Sequence, residues 1–131
     1  MISLEMIGYF RSDEEQEYPF PGMNLFYPKT ADFLAIAGNV QSAKYASFFK
    51  KNIRRSSEIN VRSFIVPEQV AGINRSDNYS FWKHGYKAIM ITDTAFFRNK
   101  NYHQESDTID TLNFNSMTEV VKGLYHSLKL M

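Results

Sequence analysis

The sequence has no cysteine and only three histidines in 131 residues. Disulfide bonds and thiolate zinc sites are therefore excluded. No signal peptide or apolar run of membrane-spanning length is visible. With 15 basic and 14 acidic residues, the net charge of +1 offers no electrostatic basis for binding nucleic acid or an anionic membrane. The glycine-rich phosphate loop, the Gly-x-Ser-x-Gly elbow and the His-Glu-x-x-His helix are also missing.

What the chain does contain is enough apolar sequence for one folded unit. Hydrophobic residues make up 44% of it and aromatic residues 15%, so a chain of this length can bury a core. We find no internal repeat and no convincing linker between domains. Residues 1–131 are therefore predicted to form a single domain, and the compartment in which it works stays unknown.

Apolar patterning predicts alternating strands and helices. Strands are expected at residues 2–10, 32–38, 59–66 and 87–92, and helices at residues 41–55, at 79–83 and from a Ser116-x-x-Glu119 capping box onward. The continuous apolar run of the fourth strand is typical of a strand that is covered on both faces. The alternation predicts an α/β fold: three layers, α/β/α, around a largely parallel sheet.

Residues 11–31 are predicted to form a long loop that is rich in proline and aromatic residues. Loops of this length without secondary structure are often functional. Two interpretations are equally open. The segment is either a surface excursion packed by its own aromatic side chains or one wall of a substrate cleft.

Two residues stand where metal chemistry is plausible. His103 lies in a polar loop soon after the apolar run of residues 88–91, and a neutral imidazole just beyond a buried strand suits a metal ion. Glu5 is a lone carboxylate within an apolar stretch, and a cation is one of the few partners that offsets the cost of burying it. By residue statistics alone, however, a loop histidine is more often a surface residue than a ligand.

Three separated motifs support the metal interpretation through a family resemblance. SLEMIGYF at residues 3–10, the stretch from RSDNYSFW to DTLNF at residues 75–114, and the helix SMTEVVKGLYHSLKLM at residues 116–131 occur in order. Together they resemble the C-terminal half of metallopeptidase family 28, the co-catalytic zinc aminopeptidases, to which the glutaminyl cyclases are more distantly related. The resemblance implies the C-terminal part of the zinc exopeptidase fold and a complete site with two zinc ions.

By this resemblance, Glu5 matches the later carboxylate ligand of the zinc pair and His103 matches the final histidine ligand. The family's early His-x-Asp, its bridging aspartate and its catalytic Glu-Glu pair would lie upstream of Met1. No His-x-Asp occurs in the sequence, and the Glu14-Glu15 pair follows Glu5 inside an acidic run that is typical of a solvated loop. The resemblance therefore implies that this chain alone is inactive.

Further residues are assigned supporting roles, each with an alternative. By resemblance, Asp77 belongs to the hydrogen-bond network behind the metals, although Asn78 replaces the family's histidine in the next position. Asp77 is equally suited to cap the helix that follows. Asp107 either accepts a hydrogen bond from His103 or, more simply, closes a turn. Met6 and Tyr102 either line a pocket for the substrate's N-terminal side chain or are ordinary core residues.

The function expected from the sequence is therefore the C-terminal portion of a zinc aminopeptidase-like hydrolase. The alternatives are a non-catalytic binding or scaffold domain, and a half that complements a separately encoded N-terminal half. The expected partners are a peptide substrate once the site is complete, and an N-terminal half or a second copy that covers an exposed apolar face. Glu5 and His103 are expected to converge at one sheet edge, with their metal-binding atoms on the order of 4 Å apart.

Overall fold

The computed structural model describes residues 1–70 and 72–131. The strands are β1 (Ile2–Glu5), β2 (Arg11–Glu15), β3 (Thr30–Ala31), β4 (Phe33–Gly38), β5 (Asn60–Ile65) and β6 (Ile89–Thr92). The α-helices are α1 (Ala43–Ser56), α2 (Asn78–Lys83) and α3 (Phe114–Lys129). Within the described residues, no helix combines the length and apolarity needed to cross a membrane.

The central sheet has four strands in the order β1-β6-β4-β5. The β1–β6 and β4–β5 pairs are parallel and the β4–β6 pair is antiparallel. The prediction of an α/β fold with a largely parallel sheet is therefore confirmed, with one antiparallel pairing at the centre.

The first strand is shorter than the sequence predicted. It ends at Glu5 and not at residue 10, because Met6 adopts a left-handed backbone conformation with φ 51° that turns the chain out of the sheet. The reading of residues 11–31 as a loop without secondary structure is also wrong. The two ends of this segment pair as the antiparallel strands β2 and β3.

Alternation along β4 separates the two faces of the sheet. Leu34 and Ile36 join the core beneath α1 and α3, whereas Phe33, Ala35 and Ala37 point to the opposite face. The opposite face is covered by α2 and by aromatic side chains of residues 18–27. The sheet is thus flanked on both sides, as predicted, but a short helix and an irregular segment form most of the second outer layer.

Helix α3 begins two residues before the predicted capping box. Its N-cap is Asn113, whose side chain accepts a hydrogen bond from the backbone N–H of Ser116 at 3.0 Å. Glu119 instead accepts a hydrogen bond from the backbone N–H of Glu58 at 2.9 Å and pairs with Lys122. The Glu119 carboxylate therefore connects α3 to the residues just after α1 and does not form the predicted capping box.

Candidate metal and substrate site

The carboxyl ends of β1 and β6 lie together at one edge of the sheet. The strands are parallel and place Glu5 opposite Thr92. Sites in α/β proteins commonly form beyond such strand ends. Met6, Thr94 and Ala95, which follow the two strands, all have positive φ, as has His103. Each such residue costs on the order of 1 kcal/mol or more and persists only where its surroundings hold it.

Asp93 is the side chain that holds the backbone at this edge. Its Oδ2 accepts hydrogen bonds from the backbone N–H groups of Tyr9 at 2.7 Å and Gly8 at 3.1 Å, and its Oδ1 accepts one from Ala95 at 2.9 Å. Its own N–H donates to the carbonyl of Met6 at 2.6 Å. Asp93 therefore fastens the loop that follows Glu5 to the segment that leads to His103.

Burial governs the protonation of Asp93. The side chain is fully buried, and desolvation raises the pKa of its carboxyl to about 6, although three backbone N–H donors and nearby Arg98 oppose the shift. A group with this pKa is mostly ionised at pH 7. Asp93 can therefore accept all three hydrogen bonds as a carboxylate at neutral pH.

Arg98 also forms hydrogen bonds to the segments near this edge of the sheet. Its Nε donates to Gln16 at 2.9 Å, and its Nη1 donates to the carbonyl oxygens of Phe33 at 3.0 Å and Tyr9 at 3.2 Å. Burial lowers the pKa of its guanidinium to about 10, while the charge of Asp93 opposes that shift. The side chain therefore stays cationic at pH 7 and links β4 to the loop held by Asp93.

Glu5 is half-buried at the end of β1 and has few partners. Ser76 Oγ donates to its Oε2 at a long 3.5 Å, and the same hydroxyl lies 2.5 Å from Ser3 Oγ. The Glu5 side chain borders a cavity on the face of the sheet opposite α1 and α3. A carboxylate so weakly bonded is free to bind another group.

His103 is an exposed residue in the segment that follows β6. Its ring stacks on Tyr102, with ring centroids 4.0 Å apart and an interplanar angle of 13°. Tyr102 lines the cavity that Glu5 borders. The structure thus brings Glu5 and the residue before His103 to one cavity, while the convergence of the two proposed ligands on one zinc ion stays a prediction.

The carboxylate and imidazole are ligand types that zinc accepts. They fit a zinc site only in part, because catalytic zinc normally takes about three protein ligands. Across residues 1–70 and 72–131, no group of three or more histidine, aspartate or glutamate side chains is positioned to hold a metal ion. A catalytic zinc site would therefore need ligands in addition to Glu5 and His103.

The other predicted site residues have local roles. Asp77 occupies the N-cap position of α2, but its side chain makes no capping hydrogen bond. The backbone N–H of Asp107 closes a turn on Gln104 at 3.0 Å, and its carboxylate accepts from Asn99 at 3.2 Å. Met6 does not appear among the described residues that line the cavity.

Small side chains on β4 create the cavity. Ala35 and Ala37 form part of its lining where larger residues would fill the space, which is about 150 Å³. The walls are mostly apolar and include Phe64, Met90, Phe96, Phe97 and Tyr102. An apolar cavity of about this volume can hold one benzene ring. An aromatic or branched aliphatic side chain therefore fits it.

The aromatic segment between β2 and β3 packs on itself and also borders the cavity, while its role as a wall of a substrate cleft stays a prediction. Tyr18, Phe20 and Met23 line the cavity. Tyr18 and Tyr27 also pack on each other with ring centroids 6.0 Å apart, and Tyr27 stacks on Phe64 at 4.4 Å. The segment is therefore a cavity wall that is stabilised by its own aromatic contacts.

The chain is therefore an α/β domain with a mostly apolar cavity beside the carboxyl ends of two parallel strands, β1 and β6. The sequence profile of the family described as "Peptidase family M28" matches residues 2–127, and the chain belongs to this family. The resemblance seen in the sequence motifs is thereby confirmed.

The chain aligns with only part of the length of two similar proteins. It is 44% identical over 125 residues to the uncharacterized protein YfbL of Escherichia coli (strain K12), a match that covers 95% of this chain and 39% of YfbL. The structure superposes on the LapA aminopeptidase of Legionella pneumophila with a TM-score of 0.62 at 18% identity, covering 96% of this chain and 29% of LapA. The chain thus spans about two fifths of YfbL, and the likeness to LapA shows the shared fold.

Proposed function

We propose that this chain carries part of the active site of a zinc-dependent aminopeptidase. Glu5 and His103 are its two metal ligands, and the apolar cavity receives the side chain of the substrate's N-terminal residue. The observation that carries the proposal is that Glu5 and Tyr102, the residue before His103, border the same apolar cavity. Family membership makes a peptidase-like hydrolase the class to which this site belongs.

The chain's own residues would bind and orient the substrate. The cavity excludes water from an apolar side chain, and its aromatic walls favour a large substrate residue over a small one. Asp93 keeps the two ligand-bearing segments at a constant spacing through its three hydrogen bonds. Zinc, when bound, would supply a hydroxide for attack on the peptide carbonyl.

Under this proposal, peptidase activity requires further metal ligands and a general base that this chain does not supply. Two ligands are fewer than the roughly three that a catalytic zinc normally takes from protein. The general base would also come from outside the chain, because the Glu14-Glu15 pair lies on β2 and not at the strand ends that hold Glu5.

A non-catalytic binding domain is the second candidate. It is favoured by the combination of a preformed apolar cavity with the absence, over the described residues, of any three-ligand group. The two candidates differ in what completion of the domain should produce. Only the peptidase proposal predicts zinc-dependent turnover.

The decisive experiment measures hydrolysis of leucyl and phenylalanyl anilides with and without zinc. The chain is assayed alone and together with the part of YfbL that it does not match. We expect turnover only with both polypeptides and zinc, and a loss of about tenfold or more when Glu5 or His103 is replaced by alanine. Glu58→Ala and His126→Ala are the matched controls, since both side chains are exposed and neither residue lines the cavity.

Zinc-dependent turnover by the 131-residue chain alone would contradict the proposal of an incomplete site. Full activity of the completed enzyme after Glu5→Ala would contradict the assignment of that ligand. Saturable binding of apolar amino acids without any turnover in the completed pair would favour the binding domain.

A further inference from the structure

Arg75 brings a positive charge to a mostly apolar cavity. Among the described residues that line this cavity, only Glu5, Glu17 and Arg75 carry a charge. Arg75 is also an exposed residue, so its side chain lies where the cavity opens to solvent. Of the described lining residues, Arg75 therefore supplies the one cation at the opening.

The backbone places Arg75 next to Glu5. Ser76 Oγ donates to Glu5 Oε2 at 3.5 Å, and Arg75 directly precedes Ser76 in the chain. Consecutive Cα atoms are about 3.8 Å apart, so Arg75 is one residue away from a contact with the proposed metal ligand. A substrate that is held at Glu5 therefore lies near the segment that carries Arg75.

A row of aromatic rings holds the Arg75 side chain in place. Its Cζ atom lies 5.1 Å from the centroid of the Phe96 ring. Phe96 packs against Tyr102 with ring centroids 5.8 Å apart, and Tyr102 stacks on His103 at 4.0 Å. Phe96 and Tyr102 both line the cavity. The guanidinium is thus held by a cation–π contact at one end of a row of rings that leads to His103.

Within the described part of the chain, Arg75 has no acidic partner. The ion pairs there are Arg11 with Glu14 and Lys122 with Glu119. A guanidinium that packs on a ring still presents the N–H groups that lie in its plane, and their fork matches the two oxygens of a carboxylate. An incoming carboxylate can therefore bind Arg75 without breaking an ion pair of the protein.

The size of the cavity decides which part of a peptide meets Arg75. A volume of about 150 Å³ accommodates one aromatic or branched side chain, so the remainder of a bound peptide must stay at the opening. Under the proposed function, the carbonyl group beside that side chain faces the zinc ion at Glu5. The residue that follows the scissile bond then lies at the opening, beside Arg75.

We propose that Arg75 binds a carboxylate of the residue that follows the scissile bond. The preferred substrates are then peptides with an apolar first residue and a carboxylate on the second. This carboxylate is either the free C-terminus of a dipeptide or an acidic side chain. The proposal rests on the proposed function, since it names the substrate class of the same site. Arg75 contributes to specificity and takes no part in the attack on the carbonyl group.

Binding of small peptides to the chain alone, without zinc, tests this role of Arg75. Nuclear magnetic resonance titrations compare Phe-Gly with Phe-Gly amide, and Phe-Asp amide with Phe-Asn amide. The first pair reports on the C-terminal carboxylate and the second on the acidic side chain. In at least one pair we expect the carboxylate peptide to bind about fivefold more tightly, and this preference should fall as sodium chloride screens the exposed charges.

Substitutions connect the preference to Arg75. Arg75→Gln should remove it, so that the two peptides of each pair bind with affinities within about twofold of each other. Arg75→Lys retains the charge but not the fork of N–H groups, and it should retain part of the preference. Arg55→Gln is the matched control with the full preference, because Arg55 is exposed on α1 and does not line the cavity. Thermal unfolding of all three variants should match the unsubstituted chain, since both arginines are exposed.

Absence of binding, equal affinities within both pairs of peptides, a preference that survives Arg75→Gln, or its loss in Arg55→Gln would each overturn the proposal. Failure of the proposed function gives a different result. If the chain and the part of YfbL that it does not match show no zinc-dependent turnover while the carboxylate preference persists, the peptidase function is wrong and the Arg75 subsite stands. If turnover occurs without any difference within the pairs of peptides, the subsite is wrong and the peptidase function stands.

Discussion

At the scale of single residues, Asp93 decides the geometry of the candidate site. It touches neither proposed ligand, yet its carboxylate joins the loop after Glu5 to the segment before His103. Three hydrogen bonds to a carboxylate compensate part of the cost of burying its charge. Asp93 is therefore a positioning residue, whereas Glu5 and His103 are the proposed ligands.

The raised pKa of Asp93 predicts how it affects stability. Well below its ordinary pKa of 3.8, the group is protonated in the folded and the unfolded chain alike. Between pH 4 and about 6 the unfolded chain loses this proton while the folded chain retains it, so the contribution of Asp93 to stability falls as pH rises through this window. The fall is on the order of 3 kcal/mol, given about 1.4 kcal/mol for each pH unit of pKa shift.

Urea unfolding of the unsubstituted chain and of Asp93→Asn at several pH values from 4 to 7 measures this effect. As pH rises, the unfolding free energy of the unsubstituted chain should fall relative to that of Asp93→Asn. Asp13→Asn, at an exposed position on β2, should show no such trend. A difference that is constant or moves the other way with pH would contradict the account of Asp93.

At the scale of elements, the packing of α1 against α3 depends on a close approach at Gly123. A Cβ atom at this position would lie 2.7 Å from Cγ2 of Ile53, which is fully buried. Real Cβ contacts are essentially never that short, so either the Ile53 side chain or one of the two helices would have to shift. Gly123 thus sets the distance between the two helices that cover one face of the sheet.

Gly123→Ala tests this packing because two effects of opposite sign compete. Alanine favours the helix by about 1 kcal/mol over glycine, whereas overpacking a core typically costs about 1–3 kcal/mol. We expect the clash to prevail and the thermal midpoint to fall. His126→Ala on an exposed side of α3 should change the stability by less than about 0.5 kcal/mol. A more stable Gly123→Ala variant would show that the helices separate at little cost.

At the scale of the whole molecule, β1 is an edge strand whose only partner among the described strands is β6. Leu4 on β1 is 52% exposed, and Val121, Tyr125 and Leu128 on α3 are 58%, 64% and 52% exposed. Exposed apolar surface next to an unpaired strand favours association with other polypeptides.

The chain is expected to self-associate through these exposed apolar side chains. Because the contact is apolar, association in sedimentation velocity should strengthen with ammonium sulfate, which promotes burial of apolar groups. Leu4→Lys combined with Tyr125→Glu should shift the chain toward monomer, and His126→Glu should not. If the unsubstituted chain stays monomeric at every concentration and salt condition, the prediction of self-association is wrong.

The sequence by itself determined the α/β class, the positions of β4, β5, β6 and α1 to within a few residues, and membership of the M28 family. These follow from local information: apolar runs of strand length, amphipathic spacing, and short motifs that contain Glu5 and His103. Each of these signals can be read within a few neighbouring residues, so none depends on knowing the fold.

Only the tertiary structure decided the antiparallel pairing of β4 with β6, the end of β1 at Glu5 and the cavity over Ala35 and Ala37. It also revealed Asp93, whose partner Gly8 is 85 residues away in the chain. In the sequence, Asp93 is one polar residue after an apolar run, which is also how a surface turn begins. Its role arises because folding removes it from water and brings the backbone N–H groups of the distant Gly8 and Tyr9 to its carboxylate, a pairing that no local pattern encodes.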